Sequence, residues 1–193
     1  MQQVTRLCVY CGSALGLDPR YHAAARELGL ALAAAGIELV FGGGRVGLMG
    51  VVADAVLAGG GRVVGVIPDR LRAAELAHKG VTELVIAGSM HDRKRMMAER
   101  ADAFAVLPGG IGTLDETFEI LTWRQLGLHD KPIFLVDVVG YWQPLRELFD
   151  HLVAHGFTGA LVPVLVKIVP SIADLINALA YAPPGRLPRS DLL

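Results

Sequence analysis

Short runs of Val, Ile, Leu and Phe recur along the chain between longer segments of helical period. That alternation is best satisfied by a parallel sheet with helices packed on both faces. The runs fall at residues 4–10, 37–41, 62–67, 82–87, 103–107, 132–136 and 164–169, so seven strands are expected. Several show no polar alternation, as strands covered on both faces should.

The intervening segments carry helix starts and stops. Asp18 reads as an N-cap, Pro19 suits the first helical position, and Gly36 ends that helix. The same logic places helices at 47–58, 89–100, 112–126, 141–154 and 171–180. The expected fold class is α/β, a Rossmann-like doubly wound parallel sheet of about seven strands in three layers. With 193 residues, one nucleotide-binding domain over 1–180 accounts for the core. The tail 181–193, holding Pro183, Pro184, Gly185 and Pro188, is expected to be disordered and to carry no chemistry.

Hydrophobic residues make up 53% of the chain, but the richest run, 28–40, is shorter than a membrane span and contains Gly36 and Glu38. No apolar stretch follows a basic start, so a cytoplasmic address is expected. A formal net charge of -1 gives no general attraction to nucleic acid or anionic membrane, so any phosphate must be held locally. Cys8 and Cys11 have the spacing of a redox or zinc pair. Two cysteines cannot complete a structural zinc site, and thioredoxin-like pairs sit at a helix start, so both read as small buried hydrophobes. His151 and His155 share a helix face without a third ligand, and no metal is expected.

In an open parallel sheet, ligands bind beyond the carboxyl ends of the strands. Four loops there are unusual: CGS at 11–13, GGGRVGLMG at 42–50, GSMHDRK at 88–94 and PGGIGTLDE at 108–116. They supply Ser13, Gly43, Gly44 and Met90 as candidate substrate contacts. Two are glycine-rich strand-to-helix turns, whose free N–H groups and helix dipole suit an anion. In the second, Gly109, Gly110 and Gly112 free the backbone and Thr113 adds a hydroxyl. The first also has the spacing Gly42, Gly44, Gly47 of a dinucleotide fingerprint, with Asp69 after the next strand, so a nicotinamide enzyme is a rival reading. Against it, the glycines follow the second strand and the chain leaves no room for a separate substrate domain.

Two residues stay balanced on spacing alone. Glu116 completes Thr113-x-x-Glu116, a capping box that would only start a helix. Arg93, Lys94 and Arg95 lie in the first turns of a helix capped by Ser89 and Asp92, where cations oppose the dipole. Arg95 has Asp92 and Glu99 on its face, whereas Arg93 meets only Met96 and Met97. Arg93 is thus either a solvated surface arginine or a ligand for an anion or a base.

FGGGRVGLMG, MHDRKRMM and PGGIGTLDE, in this order, resemble the LOG family of cytokinin riboside 5'-monophosphate phosphoribohydrolases. The resemblance covers nearly the whole chain before the tail, and the pairing of M-H-x-R-K with P-G-G-x-G-T-x-x-E is specific. It implies hydrolysis of the bond between an adenine-type base and ribose 5-phosphate, a homodimer or higher homo-oligomer, and no redox cofactor or metal in the chemistry. It places the essential arginine on Arg93 and the essential glutamate on Glu116. The phosphate turn falls on Gly109, Gly110, Gly112 and Thr113, with Lys94 beside the arginine. Glu75 matches an acid that contacts substrate, although LRAAELAHKG around it departs from the family's P-R-E-I type of segment, and Thr122 matches a contact past the glutamate. Members also carry an older lysine decarboxylase label, yet the four lysines, Lys79, Lys94, Lys131 and Lys167, have no evident pyridoxal-binding context.

The chemistry implied is charge separation: positive on the ribose ring, negative on the departing base. Glu116 would stabilise the sugar cation and either orient water or add to the anomeric carbon, while Arg93 would stabilise the base or orient the substrate. A non-catalytic nucleotide carrier would use the same cradles without turnover.

Overall fold

The computed structural model describes residues 4–72, 77–159 and 165–182. Seven parallel strands form one sheet in the order β4-β3-β2-β1-β5-β6-β7. They are β1 (Arg6–Tyr10), β2 (Glu38–Phe41), β3 (Val63–Pro68), β4 (Glu83–Ala87), β5 (Ala103–Val106), β6 (Ile133–Val136) and β7 (Lys167–Val169). The described helices are α1 (Pro19–Ala35), α2 (Gly47–Ala58), the single turn α3 (Asp69–Leu71), α4 (Met90–Arg100), α5 (Ile111–Gln125), α6 (Gln143–Ala154) and α7 (Ile172–Tyr181).

Strand alternation divides the core. Leu7, Val9 and Cys11 of β1 and its loop pack beneath α1, α2 and α7 with Leu28, Leu32, Val52, Val56 and Leu175. Cys8 and Tyr10 face the other layer with Met97, Ile120, Leu145 and Phe149. The two cysteines therefore lie on opposite faces of the sheet, both free and buried. Burial pushes both thiols well above the ordinary value, so they are packing groups rather than nucleophiles.

The chain runs outward from β1 through β2, β3 and β4, then returns to lay β5 against the other side of β1, with Cys8 opposite Phe104 and Tyr10 opposite Val106. The loops after β1 and β5 consequently diverge, making the crevice where open α/β sheets bind ligands.

Local chemistry sets the helix and strand boundaries, as expected for α1 and differently for α6. Helix α1 has Asp18 as its N-cap, bonded to the Arg20 N–H, and Gly36 in the left-handed region as its stop. Helix α6 starts at Gln143 rather than 141, because a short 3-10 turn (Val138–Gly140) intervenes and Asp137 accepts the Trp142 N–H at 2.8 Å. Of the expected strand 164–169, the described residues form β7 only from Lys167, and residue 164 lies outside them. The expected tail lies outside the described residues from 183 onward, and Glu75 falls in the undescribed stretch 73–76. Among the described residues no helix is long and apolar enough to cross a membrane.

Candidate active site

The β1 and β5 loops are tied where they part, the Gly12 N–H donating to Pro108 O at 3.0 Å. Gly12 O in turn accepts from the N–H groups of Leu48 and Met49 at 3.0 and 3.4 Å, so two of the first amides of α2 are spent inside the fold. At α5 the situation differs. Gly110 is the N-cap and supplies no side-chain bond, so the first-turn amides of Ile111, Gly112 and Thr113 have no intrahelical acceptor. Gly110, Ile111, Gly112 and Thr113 all line a cavity of about 350 Å³, within the range typical of small-molecule sites. Of the two glycine-rich turns, the α5 turn offers the better anion cradle.

This start overturns the capping-box reading of Glu116. Helix α5 begins at Ile111, so Thr113 lies already inside the first turn and Glu116 a turn further on, away from any cap. Glu116 instead pairs with Arg93, Nη1 standing 3.1 Å from Oε1, each side chain 10% exposed. Arg93 comes from the first turn of α4, which Ser89 caps by accepting the Asp92 N–H at 3.0 Å while donating its hydroxyl to Asp92 at 2.7 Å. Its remaining nitrogens reach across the sheet ends, Nε donating to Val66 O at 3.1 Å and Nη2 to Gly42 O at 3.3 Å. Arg93 is thus a buried, clamped cation rather than a solvated one. A Cβ at Gly42 would overlap Arg93 Nη2, so a glycine is what lets the guanidinium seat there.

Glu116 titrates at about 7, well above its ordinary value. Burial is the main cause, Arg93 and Lys94 oppose it, and Asp115 and Glu119 add to it. Near neutrality the carboxyl therefore populates both forms, as suits an acid–base or charge-stabilising group. Lys94 turns away from the cavity. Its Nζ lies 3.1 Å from both Asp115 Oδ2 and Glu119 Oε1, and although burial disfavours its charge, these partners hold its pKa above the ordinary lysine value.

The other expected residues divide. Ser13, Gly44, Met90, Gly110, Gly112 and Thr113 line the cavity with Arg93 and Glu116. Gly43 sits just behind it in the left-handed region, its carbonyl accepting the His78 N–H at 2.9 Å. Gly109 faces a neighbouring cavity of about 240 Å³ and accepts the Tyr141 hydroxyl at 2.6 Å. Thr122 is exposed and donates to Phe118 O at 2.7 Å, outside the described lining. Asp69, the ribose acid of the nicotinamide reading, pairs instead with Arg72 at 2.9 Å.

Sequence reasoning missed Asp115 and the apolar wall of Val46, Met49, Ile67, Leu71 and Ile111. Their only signal is position at strand ends and helix starts. A larger depression of about 810 Å³ along β6, β7 and α7 has Arg124 and Lys167 but no carboxylate in its described lining, so it lacks the paired chemistry seen at Arg93 and Glu116. No lysine lines the 350 Å³ cavity: Lys94 is committed to two acids, and Lys131 donates to Ala98 O at 2.6 Å. Among the described residues no group of three His, Cys, Asp or Glu is placed to hold a metal.

Comparison with known proteins places this geometry in context. The family model described as "Possible lysine decarboxylase" matches residues 49–179. LOGL1 of Oryza sativa subsp. japonica, named "Probable cytokinin riboside 5'-monophosphate phosphoribohydrolase", is 47% identical over 174 residues, covering 90% of this chain and 78% of its own. The cytokinin riboside 5'-monophosphate phosphoribohydrolase LOG1 of Arabidopsis thaliana is 44% identical over 179 residues, 92% of this chain and 84% of its own. Among solved structures, the molybdenum cofactor carrier protein from Chlamydomonas reinhardtii has a TM-score of 0.69 at 23% identity over 90% of this chain and 94% of that one. The molybdenum cofactor binding protein from Rippkaea orientalis gives 0.69 at 21% identity over 93% and 96%. At such identities these two structures speak for the fold alone.

Proposed function

The chain belongs to the LOG family of cytokinin riboside 5'-monophosphate phosphoribohydrolases, and from that premise we propose that Arg93 and Glu116 flank the glycosidic bond of a nucleotide whose phosphate rests on the start of α5. The protein is an enzyme, a hydrolase of the N-glycosidic bond of a nucleoside 5'-monophosphate, releasing free base and ribose 5-phosphate.

One water is consumed: its oxygen joins the anomeric carbon, and a proton ends on the departing base nitrogen. The transition state carries positive charge on the ribose ring. The Glu116 carboxylate stabilises that charge, either orienting the attacking water or adding to the anomeric carbon itself. Arg93, pinned by Val66 O and Gly42 O, favours the ionised form of Glu116 against the effect of burial and offers its remaining N–H groups to the departing base. It acts as a fixed charge, since a guanidinium is too basic to be a ready proton donor. The amides of Ile111, Gly112 and Thr113 take the 5'-phosphate, so binding energy remote from the reacting bond positions it.

The observation that carries this reading is the buried Arg93–Glu116 pair in the wall of the cavity that the open end of α5 also lines. AMP is included among the substrates on this reading, because the cavity walls come from the same residues whatever the base carries. The same reading includes a cytoplasmic setting, supported by two free buried thiols, and a homodimer or higher homo-oligomer, which would cover Ile111 at the start of α5 and Leu126 just past its end, exposed 82% and 67%. Chromatography of AMP and of a cytokinin riboside 5'-monophosphate after incubation with the protein tests it. Free base and ribose 5-phosphate are expected. Nucleotide that binds by calorimetry yet stays whole would leave a carrier instead.

A further inference from the structure

Two rungs connect α4 to α5. The inner one is Arg93–Glu116; the outer one is Lys94, the next residue along α4, bonded to Asp115, the residue preceding Glu116, and to Glu119. We propose that Lys94 is a positioning residue for the glycosidic cleavage, not a ligand for the phosphate: by joining Asp115 and Glu119 it fixes the spacing of the two helices and the charge balance around Glu116. The proposal rests on the functional reading above.

The geometry leaves Lys94 little else to do. Its side chain is 9% exposed, it does not line the cavity, and its Nζ has carboxylate oxygens at 3.1, 3.1 and 3.3 Å. An ammonium has three N–H donors, and three oxygens already surround this one. Asp115 and Glu119 are 56% and 23% exposed, so both carboxylates keep contact with water when Lys94 is removed.

Among the described residues the charged neighbours of Glu116 are few. Helix α4 presents Arg93 and Lys94, and α5 presents Asp115 and Glu119. From β1 and its loop come Cys8, Tyr10 and Cys11, which burial keeps protonated and uncharged. Lys94, Asp115 and Glu119 together carry one net negative charge. Removing Lys94 makes it two, which favours the protonated form of Glu116 and starves the reaction of carboxylate at neutral pH.

The test compares Lys94→Met, Lys94→Met with Glu119→Gln, and Glu119→Gln alone. In Lys94→Met the midpoint of the kcat-against-pH curve should rise by about one unit, with kcat at pH 7 down roughly 3- to 10-fold and KM nearly unchanged. The double variant restores the wild-type local charge and should return the midpoint, while Glu119→Gln alone should lower it. A large rise in KM with an unmoved midpoint would overturn the proposal and make Lys94 a substrate ligand. If Lys94→Met does not fold, the Glu119→Gln shift carries the test, and its absence overturns the idea. Titration of the Glu116 carboxyl by carbon NMR reads the same shifts without turnover, so it separates failure of this proposal from failure of the functional reading.

Discussion

Arg93 Nη1 and Glu116 Oε1 meet at 3.1 Å across the gap between α4 and α5, each side chain about nine-tenths buried. The two partners are not equivalent. Arg93 has two further acceptors in Val66 O and Gly42 O, whereas among the described residues Glu116 has no other cation in ion-pair contact. Removing the acid therefore leaves a cation still held by two carbonyls. Glu116→Gln should keep its fold, with a thermal midpoint close to wild type, while turnover falls on the order of 10²-fold or more. Calorimetric melting beside an initial-rate assay checks both; wild-type turnover would return Glu116 to a packing role.

The reverse change should be worse. Arg93→Met strands a carboxyl that burial already pushes toward its neutral form, and Glu116 then holds its proton through neutral pH. Turnover at pH 7 should fall at least as far as in Glu116→Gln, and stability should drop by about 2 kcal/mol or more because Val66 O and Gly42 O lose their donor. Urea melts of the two variants under one buffer measure that asymmetry. Equal losses would show that the carbonyl clamp contributes nothing.

Glu116 also ties stability to pH with an unusual sign. Its carboxyl titrates at about 7 in the fold against an ordinary 4.5. Between those values the folded protein keeps a proton that the unfolded chain has lost, so this group's contribution makes stability fall as pH rises through the window and level off above it. Activity that needs the carboxylate rises through the same window, with a midpoint near 7. Wild type minus Glu116→Gln isolates the group: the difference in unfolding free energy should slope downward where the rate slopes upward. Parallel slopes would mean that the protonated form is the active one.

What could be read from the sequence follows how far each cause reaches along the chain. Strands such as β1 and β5 announce themselves by local composition, because burial on both faces removes polar alternation. Arg93 stood out because helical neighbours at three and four residues gave it no partner, and its acceptors prove to be 27 and 51 residues away. Lys94 offered no such sign: helical spacing reaches four residues, and its Asp115 partner is 21 away on another helix. The capping-box reading of Thr113 and Glu116 failed for a local reason. Gly110 is free to take the cap, so α5 starts before the threonine that the pattern favours.

The glycines of the two cradles separate packing from ligand binding. At Gly112 no described residue stands within 4 Å of where a Cβ would go, and it sits within helix α5, so these residues give no steric reason for a glycine. Alanine there should hold or raise the melting temperature, since it is the better helix former by up to about 1 kcal/mol. Its methyl would instead stand beside the amides assigned to the phosphate. Losing one charge-assisted bond of roughly 1.5–3 kcal/mol should then raise KM for the nucleotide about 10- to 100-fold with little change in kcat. Gly42→Ala should behave in the opposite way, because its Cβ overlaps Arg93 Nη2 and displaces the guanidinium from Glu116. Stability and kcat should fall together there. Melting curves and steady-state kinetics on the two variants decide it, and a Gly112→Ala enzyme with unchanged KM would move the phosphate away from the start of α5.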